Sequence, residues 1–140
     1  MDGKQLKMDS KGQVSAEFLF LILIILIIIT AVTIPLLANS ISAGQGVSQV
    51  SDADSAMNDI SDAVNIVYAN GPGARRTLSV YIPQATTLTS SGNVLRMTLT
   101  GISYKDSNGN PQTSKTVTAT TDYTFATPVS VALTKGWNNI

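Results

Sequence analysis

Glu17 and Asp52 are consecutive charged residues, with 34 uncharged residues between them, and 21 of these read FLFLILIILIIITAVTIPLLA from Phe18 to Ala38. A helix rises about 1.5 Å per residue, so this run spans roughly 30 Å, the thickness of a bilayer's hydrocarbon core. Seven isoleucines and six leucines lie in it. The segment before it holds Lys4, Lys7 and Lys11, with Asp2 ahead of them and Asp9 between Lys7 and Lys11. Lysines ahead of a membrane helix favour a cytoplasmic N-terminus. The remaining length of the 140-residue chain suits one small domain. Its net charge of zero advertises no surface for nucleic acid. Cysteine and histidine are both absent, which removes disulfides, thiolate metal ligands, the commonest metal ligand and the commonest general base. Nine carboxylates, few of them close in sequence, give no framework for an enzyme, and no cofactor or catalytic residue is expected.

Three arrangements accommodate such a run. One is a plain N-terminal membrane anchor. A secretory signal peptide has an apolar region of about 7–15 residues and a cleavage site after it; Ala38-Asn39-Ser40 loosely imitates such a site, but the run is too long. The third is a leader that is cut before the run and leaves the helix on the mature chain. The junction reads Lys11-Gly12-Gln13-Val14-Ser15-Ala16-Glu17-Phe18-Leu19-Phe20-Leu21. It resembles the class III signal peptide of euryarchaeal type IV pilins, in which Gln, Ser, Glu and Leu recur at this spacing after a basic residue and a Gly. Gln13, Ser15, Glu17 and Leu21 match those positions behind Lys11 and Gly12. Archaellins usually follow the cut with a Gly-rich apolar stretch, so the fit to pilins is better.

The resemblance implies cleavage between Gly12 and Gln13 by a membrane aspartyl prepilin peptidase. It also implies that Gln13, Glu17 and Phe18 take part in assembly, with Glu17 as the fifth residue of the mature chain. A carboxylate at the edge of an apolar helix is costly in a dry setting unless paired. Cleavage creates a cation close to Glu17, the amine of Gln13, on the same subunit or on a neighbour. The bland alternative is a Glu solvated at the membrane interface. Cyclisation of Gln13 to pyroglutamate would remove the amine's charge.

From Asn39 to Ala69 a helical rhythm continues. Val50, Met57 and Val64 are spaced by seven, as are Ala53, Ile60 and Val67, while Asp52, Asp54, Asp59 and Asp62 fall off that stripe. The spacing predicts a helix held by one face against the domain that follows. Pro35 and the pair Gly44 and Gly46 weaken a helix locally, so the reading is one long helix with a soft point near Pro35 and another near Gly44–Gly46, where it can break. Asn70-Gly71-Pro72-Gly73 predicts the helix end, and Arg75 and Arg76 read as a solvated turn. The expected divisions are a leader at 1–12, a long helix at 13–70 with 18–38 as its membrane or filament-core part, and a β domain at 71–140.

After Thr77 the period changes to two. Leu78, Val80 and Ile82 alternate with polar residues, as do Leu95, Met97 and Leu99. Gly101 then shifts the parity to Ile102 and Tyr104, which predicts a bulge. Asn108-Gly109 marks a hairpin. Val117, Ala119, Thr121, Tyr123 and Phe125 form a returning strand, and Val129, Val131 and Leu133 another. Lys135-Gly136 turns the chain into Trp137. The fold class is α+β: a long N-terminal hydrophobic helix followed by a small antiparallel sheet of four to five strands. Asp106-Ser107-Asn108-Gly109-Asn110 spaces its oxygens like the start of a calcium loop, but Pro111 and Val117 stand where the loop requires Gly and an acid. A hairpin turn is expected there, and no metal. No Asn-x-Ser/Thr acceptor occurs.

The implied function is a structural pilin subunit that polymerises with itself into an archaeal type IV pilus-like surface filament, for adhesion. The implied partners are a prepilin peptidase, an assembly ATPase and a membrane platform protein. The precursor would sit in the membrane before entering an extracellular filament. The alternative is a low-copy pilin-like surface-binding protein or tip adhesin.

Overall fold

The computed structural model of the protein describes residues 10–140, with side chains from Gly12 onward. Lys4, Lys7, Asp2 and Asp9 of the leader lie outside the described residues. One helix, α1, runs Ser10–Ala69, and five strands follow: β1 (Ser79–Ile82), β2 (Thr86–Lys105), β3 (Pro111–Phe125), β4 (Ser130–Leu133) and β5 (Gly136–Asn139). Internal contacts divide the chain into two units, Met1–Ser40 and Ile41–Ile140. The long hydrophobic helix followed by small antiparallel sheets is the α+β arrangement that the residue periods dictate.

In the first unit the large apolar residues from Val14 to Leu37 are all exposed, between 38% and 66%. α1 starts at Ser10, ahead of Gly12, and passes through the soft points at Pro35 and Gly44 unbroken. Proline costs a helix about 3 kcal/mol through one missing donor and a clash one turn back. The uninterrupted turns on both sides hold the helix together against that local loss. Thr30 and Ser40 donate their hydroxyls to the carbonyls of Leu26 and Leu36, at 2.6 and 3.0 Å, so neither presents a free donor to an apolar surrounding.

In the second unit the helical stripe meets the sheet. Ala53, Ala56, Met57 and Ile60 are buried, with Val50 and Val64 packed beside them. Asp52, Asp54, Asp59 and Asp62 face water. Met57, Ile82, Met97, Leu99 and Val80 are the largest fully buried side chains, each contributing about 1.5–3 kcal/mol by leaving water. Gly46, read as a soft point, is instead a packing position. A Cβ there would collide with the backbone carbonyl of Ser103, so only glycine lets helix and strand backbones approach this closely.

β1 and β5 pair antiparallel as one sheet, and the second sheet has the order β3-β2-β4. β2 is not one straight strand. The Thr86 hydroxyl donates to the Thr98 carbonyl at 2.7 Å, and that of Thr89 to Arg96 at 3.4 Å. Twelve extended residues would separate Thr86 from Thr98 by about 40 Å, so the chain doubles back between Thr89 and Arg96. The turn is at Gly92-Asn93, where Gly92 has φ +62°. Glycine at the first central position is what a two-residue hairpin of this hand requires. Alternation then leaves Thr87, Thr89, Thr98, Thr100, Thr116, Thr118 and Thr120 exposed while Leu88, Leu95, Met97, Leu99, Val117 and Ala119 are buried. The parity shift at Gly101 appears as a register shift between Thr100 and Tyr104.

Candidate processing and assembly site

The junction residues lie in the first turns of α1. Gly12, Gln13, Ser15, Glu17, Phe18 and Leu21 are all exposed, and nothing lies within 4 Å of where a Cβ on Gly12 would sit. The backbone of Lys11 is helical. Residues four apart share a helix face, so Gln13, Glu17 and Leu21 form one row. The backbone nitrogen of Gln13, which a cut after Gly12 would turn into an amine, is thus one turn from the carboxylate. Gly12 and Gln13 are helical, so cleavage of the peptide bond between them would require unwinding about one turn. That turn is terminal and holds a glycine, which lowers the cost.

In the second unit the β2–β3 turn is tied by one carboxylate. Oδ1 of Asp106 accepts the backbone N–H groups of Asn108 and Asn110, each at 2.9 Å, and Oδ2 accepts Nε2 of Gln112 at 3.2 Å. The Asn110 N–H holds this carboxyl below its ordinary value, partial desolvation opposes the shift, and the Asn108 and Gln112 donors reinforce it. The carboxylate is engaged as the organiser of a turn. Among the described residues no group of three His, Cys, Asp or Glu side chains comes together as a metal site.

Sequence reasoning missed a groove at the C-terminal end of α1, with a cavity of about 670 Å³. Its walls include Val64, Val67, Tyr68, Tyr123 and Phe125, with Arg76 as the one charged lining side chain. Tyr68 packs on Tyr123 at 5.3 Å between ring centroids, and Tyr123 on Phe125 at 5.0 Å, edge to face. The aromatics arrive there because β3 slips register. Gly92 pairs with Phe125 but Val94 with Thr120, so residues 121–124 bulge out of the ladder. Thr121 supports the bulge by donating to Tyr123 O at 2.7 Å and Asn93 O at 3.3 Å. From α1, Ser61 donates to the Thr120 carbonyl at 2.6 Å, and Asn65 Oδ1 accepts the Asp122 N–H at 2.7 Å. The uninterrupted alternation through Tyr123 and Phe125 therefore ends at Thr121. The available signal was polar Thr121 standing at a core-parity position. Elsewhere in the second unit Tyr104 is half-buried and donates its hydroxyl to Ser114 O at 3.3 Å, whereas Tyr81 and Trp137 form an exposed edge-to-face pair.

Comparison with known proteins bears on the first of these sites. No curated protein and no solved structure matches the chain. The family described as Class III signal peptide matches residues 10–36, a segment that holds Gly12, Gln13, Ser15, Glu17, Leu21 and most of the exposed apolar helix. That match implies a type IV pilin-like secreted or surface protein, processed by a prepilin peptidase and handled by pilus assembly machinery.

Proposed function

We propose that the chain is a filament subunit. The prepilin peptidase cuts between Gly12 and Gln13, leaving 13–70 as a helix and 71–140 as a β domain, and segment 18–38 passes from the bilayer into the core of a surface filament. The observation that carries this reading is the uncovered apolar surface from Val14 to Leu37 inside the matched segment. Thirteen isoleucines and leucines in Phe18–Ala38, at about 1.5–3 kcal/mol each, represent tens of kcal/mol of transfer free energy. A small domain has a net stability of only about 5–15 kcal/mol. Water is therefore excluded as the resting place of this helix; lipid or other copies of itself must cover it.

Moving the helix from lipid to a protein core exchanges one apolar medium for another and gains little hydrophobic free energy. Packing and compensation of Glu17 must supply the stability, and an assembly ATPase with a membrane platform protein the lift. A cut at Gln13 also places Glu17 beside a new helix N-terminus, whose dipole favours a carboxylate. Adhesion is the role proposed for the filament. N-terminal peptides from sheared surface filaments test the reading: they should begin at Gln13 or its pyroglutamate form. Peptides beginning at Ile41 would point to ordinary signal peptidase and end the reading.

One observation favours a second reading, a low-copy surface-binding protein or tip adhesin. Trp137 is 73% exposed beside Tyr81, a pair available for contact. Abundance separates the two: a structural subunit dominates the protein of the filament, and a tip protein is a trace.

A further inference from the structure

The groove at the end of α1 is apolar and aromatic, no acidic residue lines it, and Arg76 stands in its wall with Arg75 adjacent in sequence. Both arginines are exposed and have no ion-pair partner among the described residues. A complementary occupant is an apolar side chain with carboxylates close beside it. The chain's own surface carries that combination. Asp52, Asp59, Asp62 and Ile66 follow one another at helical spacing on the water-facing side of α1, all exposed and with no cationic partner among the described residues. Ile66 is 43% exposed and lies one turn beyond Asp62 and two beyond Asp59. Other exposed large apolar residues of the second unit, such as Val47, Val129 and Trp137, have no Asp or Glu within four residues in sequence, and Tyr123, next to Asp122, itself lines the groove.

We propose that the occupant of this groove is a second copy of the chain: Ile66 of one subunit enters the groove of the next, and Asp59 and Asp62 meet Arg75 and Arg76. The inference rests on the filament reading and names the domain contact within it. Ile66, Asp59 and Asp62 do not line the groove, so donor and acceptor are different surfaces of one molecule. Such a heterologous contact does not close into a symmetric dimer; it repeats into an open chain. One apolar side chain and two exposed ion pairs make a weak contact alone. Tethering by the packed N-terminal helices raises the effective concentration and makes it count.

The native chain has no cysteine, which permits a direct test on the full chain in sheared filaments. Arg76→Cys and Asp62→Cys are combined in one chain and treated with a short bis-maleimide. A ladder of covalent multimers is expected, with each single variant remaining monomeric. Dimers from a single variant would show a symmetric contact and overturn the proposal, as would intact filaments without a ladder. A charge exchange covers the case in which these variants fail to assemble. Arg76→Asp and Asp62→Arg should each lower filament yield roughly ten-fold, and their combination should restore it. A combination no better than the single variants also overturns it. If the unmodified chain is absent from surface filaments altogether, the filament reading itself falls, and that result is read before any variant is made.

Discussion

The two halves of α1 have the same backbone and opposite surroundings. From Val14 to Leu37 every large apolar side chain is uncovered, whereas between Val50 and Val64 the apolar residues Val50, Ala53, Ala56, Met57, Ile60 and Val64 turn to a sheet and the aspartates turn to water. The contrast is one of pattern, not of helix strength. An all-round apolar surface has no inside partner in a chain this small and must find one elsewhere. A stripe about 100° wide is satisfied by a single sheet face. A substitution should therefore act on membrane insertion or assembly in the first half, and on domain stability in the second.

Gly46→Ala should break the second half most severely. The added Cβ meets the Ser103 carbonyl, which is backbone and has no rotamer to escape into. A loss above about 4 kcal/mol is expected, seen as disappearance of the cooperative thermal transition of the detergent-solubilised chain, with insertion unchanged. Glu17→Ala addresses the first half. On the proposed pairing of Glu17 with the Gln13 amine, removing one partner of a desolvated ion pair costs about 3–5 kcal/mol, so filament yield by electron microscopy should fall about a hundred-fold, while processed subunit in membranes stays constant. Glu17→Gln should be milder, and if Gln13 proves fully cyclised the two variants should differ little.

Ile25→Lys places a charge near the centre of the exposed run, at about 2.5–3.5 kcal/mol. That is small against the tens of kcal/mol held by the rest of the run, so the chain should still resist alkaline carbonate extraction, while filament yield falls about a hundred-fold and the domain transition keeps its midpoint. Gly44→Ala is the small counterpart of Gly46→Ala. Open space surrounds this position, so better helix propensity should raise stability by about 1 kcal/mol. The smallest effect belongs to Asp106. Its carboxyl lies below the ordinary value in the folded chain, so the contribution is complete above the unfolded carboxylate range and is lost as pH falls through the folded value. Wild-type and Asp106→Ala midpoints should differ at neutral pH and converge in strong acid.

Much of this contrast was legible in the residues. The uncharged run, the seven-residue stripe, the Gly101 slip and the Asn108-Gly109 turn all rest on local rules and appear where those rules place them, except that Val67, the last of the stripe, lines the groove instead of the core. What stayed hidden required a partner. The first half of β2 was overlooked because Thr86–Ser91 offers one large apolar residue, Leu88, and fills its next inward slot with Ser90, whose hydroxyl oxygen accepts the Val129 N–H at 2.9 Å. Gly46 looked like a weak point because propensity counts only the helix, whereas its reason is a strand more than fifty residues away. The groove depends on a bulge whose supports, Ser61 and Asn65, come from α1, and no window of sequence contains both sides.

The bond from Asp122 to Asn65 has one more consequence. The bulge removes the Asp122 amide from the strand ladder, and its proton is held by a helical side chain. Exchange of that single proton with solvent deuterium then requires the Asn65 side chain to release it, by rotating away or by leaving with α1, while neighbouring ladder amides require the sheet to open. Its exchange rate is therefore an upper bound on the rate at which α1 undocks from the sheet.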